Sequence, residues 1–333
     1  MKNHTTQREA VVRIITVKYG DGTGKEDATA WPTPYNNSTR LFYPIRKGGA
    51  KNIFEVSKRA FGLLLILVPL LLGCDQAHKA EELIASAEKS EKKGQLQGAA
   101  DLYRKAARVS PTDFDLQFRT AVLHLKLDRL QESEEHLKQA LSLRPEVAAV
   151  HLNLGVVFLR TGNKEEGRKE LLEALRLDPR LTKAYYNLGL VELNESRLEE
   201  AEKLFKKTIS IDPNHQPSYV RLGNLYARQK KFSAALEVLD QALKLDPSDW
   251  LVYFNMGVAH KGMEKNDQSL AAFTRAVELN PSDARTRYNR GTLLLKMRKY
   301  REAVQSFKEA IRLNPFLQRC VLQSGCGLWS LGR

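Results

Sequence analysis

The sequence predicts an all-α fold, a right-handed superhelical solenoid of seven 34-residue helix–turn–helix repeats. Three observations predict it. Prolines stand at Pro111, Pro145, Pro179, Pro213, Pro247, Pro281 and Pro315, each 34 residues after the last. Small residues recur in register with them. Between the prolines, apolar residues recur at i, i+3, i+4 and i+7, the helical spacing. A fixed period of this size marks stacked supersecondary units that cannot bury their apolar faces alone.

Composition bounds the alternatives. With 42% hydrophobic and 28% charged residues, the 333-residue chain is neither disordered nor a many-span membrane protein. Its net charge of +14 is unevenly spread: residues 1–73 hold 11 basic and 5 acidic side chains, and the remainder 42 and 34. The longer part is mildly basic with signs interleaved, and it has no continuous basic stripe or aromatic RNA motif. We therefore expect no nucleic-acid partner. Three scattered cysteines offer no zinc pair and no disulfide framework.

Residues 1–55 show no periodicity, and Gly20–Tyr35 has a loop-like composition. We expect this stretch to be an upstream extension, with Val56 as the functional start. Residues 56–73 then form a leader: Lys58-Arg59, followed by the apolar run AFGLLLILVPLLLG over Ala60–Gly73. As a helix that run spans roughly 20 Å, short of the ~30 Å hydrocarbon core. A basic flank, a short apolar core and a small residue at the cut describe a secretory signal peptide. The alternative is a short buried core helix. Residues 74–79 would be a short tether.

The repeats occupy 80–113, 114–147, 148–181, 182–215, 216–249, 250–283 and 284–317, with each proline at repeat position 32. Position 8 is small: Ala87, Ala121, Gly155, Gly189, Gly223, Gly257, Gly291. Position 20 (Ala99, Ser133, Gly167, Ala201, Ala235, Ser269, Ala303) and position 27 (Ala106, Ala140, Ala174, Thr208, Ala242, Ala276, Ala310) are small too. Position 24 is large: Tyr103, Leu137, Leu171, Phe205, Leu239, Phe273, Phe307. Small columns let two helices approach, and the large one fills the space between them. Helix A is expected at about positions 2–14 and helix B at about 18–30. Proline ends helix B because it lacks an N–H and disfavours helix before it. Stacking then leaves a concave groove.

These columns resemble the tetratricopeptide repeat family over Ala80–Leu317, best in units such as Tyr185-Tyr186-Asn187-Leu188-Gly189 with Ala201, Phe205 and Pro213. Position 4, usually Trp or large in that family, departs from it: Leu83, Gln117, His151, Tyr185, Tyr219, Tyr253, Arg287. Separately, Leu71-Leu72-Gly73-Cys74 resembles the lipobox of bacterial lipoproteins. That resemblance implies cleavage after Gly73 and acylation of Cys74, a membrane anchor without a spanning helix. It also implies a location in the bacterial envelope facing the periplasm, with inner or outer membrane left open.

The tetratricopeptide resemblance places ligands on the concave face, built mainly from helix A. Position 6 gives Arg119, Asn153, Asn187, Arg221, Asn255 and Asn289. An amide both donates to and accepts from a peptide backbone. The asparagines resemble the ladder that holds extended peptides in the superhelix of O-linked N-acetylglucosamine transferases. Equally, they could bond neighbouring helices. Position 5 supplies Phe118, Leu152, Tyr186, Val220, Phe254 and Tyr288, part of which would pack between repeats. Position 13 reads Lys126, Arg160, Asn194, Arg228, Gly262 and Lys296, which makes one rim basic. Such a groove suits an extended protein or peptide with apolar and acidic side chains. The carboxylate clamp of chaperone-binding relatives is not expected, since Leu152 and Val156 replace two of its polar members.

The sequence contains no catalytic constellation, no HExxH motif and no metal spacing, so neither an enzyme nor a cofactor is expected. The tail, 318–333, reads as irregular, and the last repeat is expected to fray for want of a polar cap. The expected function is a lipid-anchored, non-enzymatic interaction scaffold. It resembles tetratricopeptide lipoproteins that help assemble pili, outer-membrane proteins or envelope-processing machines. The alternative is the repeat region of a larger enzyme such as a glycosyltransferase.

Overall fold

The structure, a computed structural model, describes residues 77–324. Within them fifteen helices follow one another and no strand occurs. The first, α1, covers 77–92. Then come α2 Leu96–Val109, α3 Phe114–Lys126, α4 Leu130–Leu143, α5 Ala148–Thr161 and α6 Lys164–Leu177. Next are α7 Thr182–Asn194, α8 Leu198–Ile211, α9 Gln216–Arg228, α10 Phe232–Leu245 and α11 Trp250–Gly262. The series closes with α12 Asn266–Leu279, α13 Ala284–Lys296, α14 Tyr300–Leu313 and α15 Leu317–Ser324. Odd-numbered helices α1–α13 are the A helices and even-numbered ones the B helices. Each pair starts about one residue earlier than the sequence periodicity suggested. Helix packing follows chain order: A on B within a unit, and B on the next A.

The column chemistry explains the pairing. Position 24 lies buried between the two helices in every unit, as Tyr103, Leu137, Leu171, Phe205, Leu239, Phe273 and Phe307. It rests on position 8: a β-carbon on Gly189 would stand 2.7 Å from the Phe205 ring, and one on Gly223 2.6 Å from Leu239. Where position 20 is serine, its hydroxyl donates across the pair, Ser133 to the Ala121 carbonyl at 2.9 Å and Ser269 to that of Gly257 at 2.7 Å.

The turns obey rules of their own. Position 15 is left-handed in all seven A–B turns: Gly94, Asp128, Gly162, Ser196, Lys230, Glu264 and Arg298. Between units, an Asx turn precedes each proline from the third unit on. Asp178, Asp212, Asp246, Asn280 and Asn314 accept the backbone N–H two residues later at 2.9–3.1 Å. Position 4 then ties the units together. Gln117, His151, Tyr185, Tyr219, Tyr253 and Arg287 each reach the carbonyl of the preceding proline.

Two boundaries differ from expectation. Residues 77–79, expected as tether, are already helical. The tail, expected to be irregular from residue 318, continues as helix α15, and Val321 packs onto the cluster of Leu294, Ala303 and Phe307. An apolar contact onto the last repeat is what a closing helix supplies. The extension 1–55, the leader 56–73, Cys74 and the end of the tail lie outside the described residues. No described helix is long and apolar enough to cross a membrane.

Candidate functional site on the concave face

Consecutive A helices touch along one side of the repeats, as α3 with α5, α5 with α7 and α9 with α11. Position 6 lies on that side. Asn153, Asn187 and Asn289 behave alike: each Nδ2 donates to the carbonyl four residues back, Ala149, Lys183 and Arg285, at 2.7–2.9 Å. A carbonyl only accepts, so the amide orientation is fixed. Each Oδ1 and the second Nδ2 hydrogen have no other partner among the described residues. Asn255 differs. It is 2% exposed, and its Oδ1 accepts from Asn224 of the preceding unit at 3.1 Å. Of the two readings open for the ladder, Asn255 takes the helix-bridging one and leaves the exposed set.

The aromatic column is divided in the same way. Tyr186, Phe254 and Tyr288 lie against the position-24 rings Phe205, Phe273 and Phe307, with centroids 5.9–6.0 Å apart. Phe118 stacks on Phe114 at 6.0 Å. These rings are half-buried. Arg221 donates its Nε to the Tyr186 hydroxyl at 3.4 Å.

Between α5 and α7 the groove deepens into a pocket of about 230 Å³. Val156, Leu159, Leu190 and Val191 make its floor, and Arg160, Lys164, Asn187 and Asn194 its polar margin. Arg160 is steadied by Asp128 at 2.9 Å and by the Leu125 carbonyl at 3.2 Å. Sequence reasoning placed Arg160, Asn187 and Asn194 here and met Val156 only as a departure from the carboxylate clamp, but it missed Lys164 and the floor residues Leu159, Leu190 and Val191. Apolar residues at position 9 of these two units, Val156 and Leu190, were the signal that could have found the floor.

The N-terminal end of the groove is closed chemically by its own residues. Arg119 is held by Glu88 at 2.7 Å and Glu91 at 3.1 Å and lies 4.7 Å from the Tyr103 ring centroid. Burial pushes the Tyr103 phenol up to about 12, partly opposed by Arg119. This arginine has its carboxylates already. Among the described residues, no three His, Cys, Asp or Glu side chains cluster as metal ligands would.

Tetratricopeptide repeat models match residues 91–142, 118–182, 152–215, 252–283 and 284–317, and a TPR repeat model matches 223–264. The chain belongs to the tetratricopeptide repeat family. No curated protein matches it. Among solved structures, a tetratricopeptide repeat protein from Parabacteroides merdae is 20% identical, with 75% of this chain and 100% of that one covered at a TM-score of 0.60. Pseudomonas aeruginosa pilF is 20% identical over 63% of this chain and 95% of its own, at 0.54. The APC/C hetero-tetramer Cut9–Hcn1 is 15% identical over 75% and 48%, at 0.61. At these identities the likenesses show the fold alone. The tetratricopeptide fold is a protein-interaction fold, and of the columns at positions 5, 6 and 9 in this chain Leu152, Val220 and Asn255 are buried.

Proposed function

We propose that this tetratricopeptide protein is a lipid-anchored, non-enzymatic scaffold whose concave groove holds an extended segment of a partner polypeptide. The observation that carries the proposal is the common state of Asn153, Asn187 and Asn289. Each is pinned by one bond to its own helix, which leaves an amide oxygen and an N–H for a ligand. Pinning lowers the rotamer entropy lost on binding. Packed helices lie about 8–10 Å apart, near three residues of extended chain, so Asn153 and Asn187, on the neighbouring A helices α5 and α7, can meet backbone groups of one strand. The apolar floor between α5 and α7 accepts the intervening side chains.

The anchor is proposed from the sequence around Cys74. One acyl chain binds a membrane marginally, and two or three hold it durably. Acylated Cys74 would fix the first repeat close to the bilayer, on the outer side of the cytoplasmic membrane, as suits work in envelope assembly or secretion. Two measurements test the two halves. Mass spectrometry of the membrane-extracted protein should find a diacylglycerol-modified N-terminal Cys74, lost in Cys74→Ser. A photo-crosslinker at position 187 should capture an extended polypeptide. An unmodified Cys74 in a membrane-free protein removes the anchor, and a crosslinker that captures nothing removes the groove function.

A further inference from the structure

Repeat position 12, which supplies Leu159 to the floor of the pocket between α5 and α7, is apolar in most units: Leu125, Leu159, Leu193, Ala227 and Leu295. Only two units put a charge there, Glu91 in the first and Lys261 in the sixth. Charge at a half-buried position costs desolvation unless it is paired. The first unit meets that cost internally, because Glu91 binds Arg119 at 3.1 Å and accepts from the Tyr103 hydroxyl at 3.2 Å. The sixth unit does not. The Lys261 ammonium donates to Thr292 Oγ1 at 3.1 Å, and that hydroxyl in turn donates to the Asn289 carbonyl at 2.8 Å. An ammonium has three donors, and the described residues bring it no carboxylate. Its charged neighbour is a second cation, Lys296. Lys296 itself pairs with Glu264 at 3.4 Å, but that carboxylate is 82% exposed and the pair has little strength in water. Burial and then Lys296 hold the Lys261 ammonium below the usual lysine range. The groove between α11 and α13 therefore carries uncompensated positive charge.

We infer that Lys261, Thr292 and Lys296 form a carboxylate-binding subsite, which takes an aspartate or glutamate side chain of the polypeptide lying in the groove. The subsite rests on the groove reading above and adds the chemistry of its C-terminal half. It uses repeat positions 12, 9 and 13. The occupant is anionic because an anion offsets the repulsion between the two lysines while leaving the Lys261 ammonium charged. It is a side chain of an extended segment because Asn289, one helical turn before Thr292, offers the backbone contact beside it.

The test uses the full-length chain in detergent and two fluorescein-labelled synthetic peptides, one alternating Leu with Glu and one alternating Leu with Gln. Fluorescence anisotropy should show the Glu peptide binding at least about tenfold more tightly, the scale of one charge-assisted hydrogen bond. Lys261→Met should erase that preference, and Thr292→Val should reduce it. Lys261→Met should also raise the thermal midpoint, since it deletes an unpaired, partly buried charge. A merely structural lysine would lower the midpoint and leave the preference alone. Equal binding of the two peptides overturns the subsite. A Glu preference that survives Lys261→Met but falls in Arg221→Met also overturns it, while the groove reading stands. Failure of both peptides to bind overturns both.

Discussion

The phenol of Tyr219 donates to the carbonyl oxygen of Pro213 at 3.1 Å. Its counterparts at repeat position 4 do the same with glutamine, histidine and arginine donors. What this position requires is reach and a donor. Proline ends helix B, and its carbonyl, left without a helical partner, is satisfied by the first turn of the next unit. Tyr219→Phe should therefore cost about 0.5–1 kcal/mol, because the bond is solvent-exposed, and Tyr219→Gln should cost less. Gln117→Leu should cost more, about 1–3 kcal/mol, since Gln117 is buried and also holds the Ala107 carbonyl. Denaturant midpoints of the three variants check the order.

A β-carbon on Gly257 would stand 2.7 Å from the Phe273 ring. Gly257→Ala should destabilise by about 1–3 kcal/mol, the scale of overpacking a filled core. The second unit shows the compensation, with Ala121 at position 8 and Leu137 at position 24, both buried. Adding Phe273→Leu to Gly257→Ala should recover part of the loss. A double-mutant cycle with no coupling between the two would contradict this packing account.

The buried histidines make the second repeat sensitive to acid. His124 is fully buried, its ring 5.7 Å from that of His136, and among the described residues neither of its nitrogens has a hydrogen-bond partner. Burial, and then the charge of His136, hold His124 below the usual histidine range. Burial does the same to His136, which donates Nδ1–H to Gln117 Oε1 at 2.7 Å. Around them stand Arg104, Arg108 and Arg129 against Glu132 and Glu135, so the pair gains no net counter-charge. Depressed folded pKa values mean that the unfolded chain binds protons first. This stability is fully present above about pH 6.5 and is lost below it, as pH falls through the lowered folded values. Each group can remove up to about 1.4 kcal/mol per pH unit below it. Amide protection factors across 114–147, which divide out the intrinsic pH dependence of exchange, should fall between pH 7 and 5, and less so in His124→Leu. Protection factors that stay flat across that range would contradict the assignment.

Fold class was legible because the proline and small-residue columns report close packing, which a sequence encodes one residue at a time. The rules for turns and unit junctions were not legible in this way. Position 15 is left-handed whether it holds Gly162 or Lys230, because the two helices it joins impose that backbone. Position 4 looked like a departure from the family because residue type was compared, whereas the shared property is donation to one carbonyl. The groove was half legible. Period placed Asn255 beside Asn187, but Asn224, contributed by the preceding unit, decides that Asn255 is buried. The closing helix α15 was hidden by the glycines that follow it.

Left-handed turns held by non-glycine residues leave room for improvement. Lys230 and Arg298 sit at φ 60°, a conformation costing roughly 1–2 kcal/mol for a residue with a β-carbon. Lys230→Gly should gain a few tenths to about 1 kcal/mol after the added flexibility of the unfolded chain is deducted. Gly162→Ala, at φ 92°, should lose at least as much. Thermal melts of the single variants measure both, and a stabilised Gly162→Ala would refute the argument.

Asn187 and Asn255 occupy the same repeat position and should respond in opposite ways to the same substitution. Asn187 bonds only to its own helix, at the Lys183 carbonyl, and lines the pocket between α5 and α7. Asn187→Ala removes a half-exposed amide and slightly favours helix, so stability should change by less than about 0.5 kcal/mol. A ligand in the groove loses a two-way backbone partner, and binding should weaken about five- to tenfold. Asn255→Ala instead strips the Asn224 amide of its acceptor inside a nearly closed site, a loss of about 1–3 kcal/mol. Its effect on ligand affinity should follow only from that loosening and disappear in Asn224→Ala/Asn255→Ala, where both partners are gone. Paired melts and peptide titrations on the three proteins separate the roles. If Asn255→Ala weakens binding while leaving the melt unchanged, the assignment of Asn255 to the helix junction is wrong.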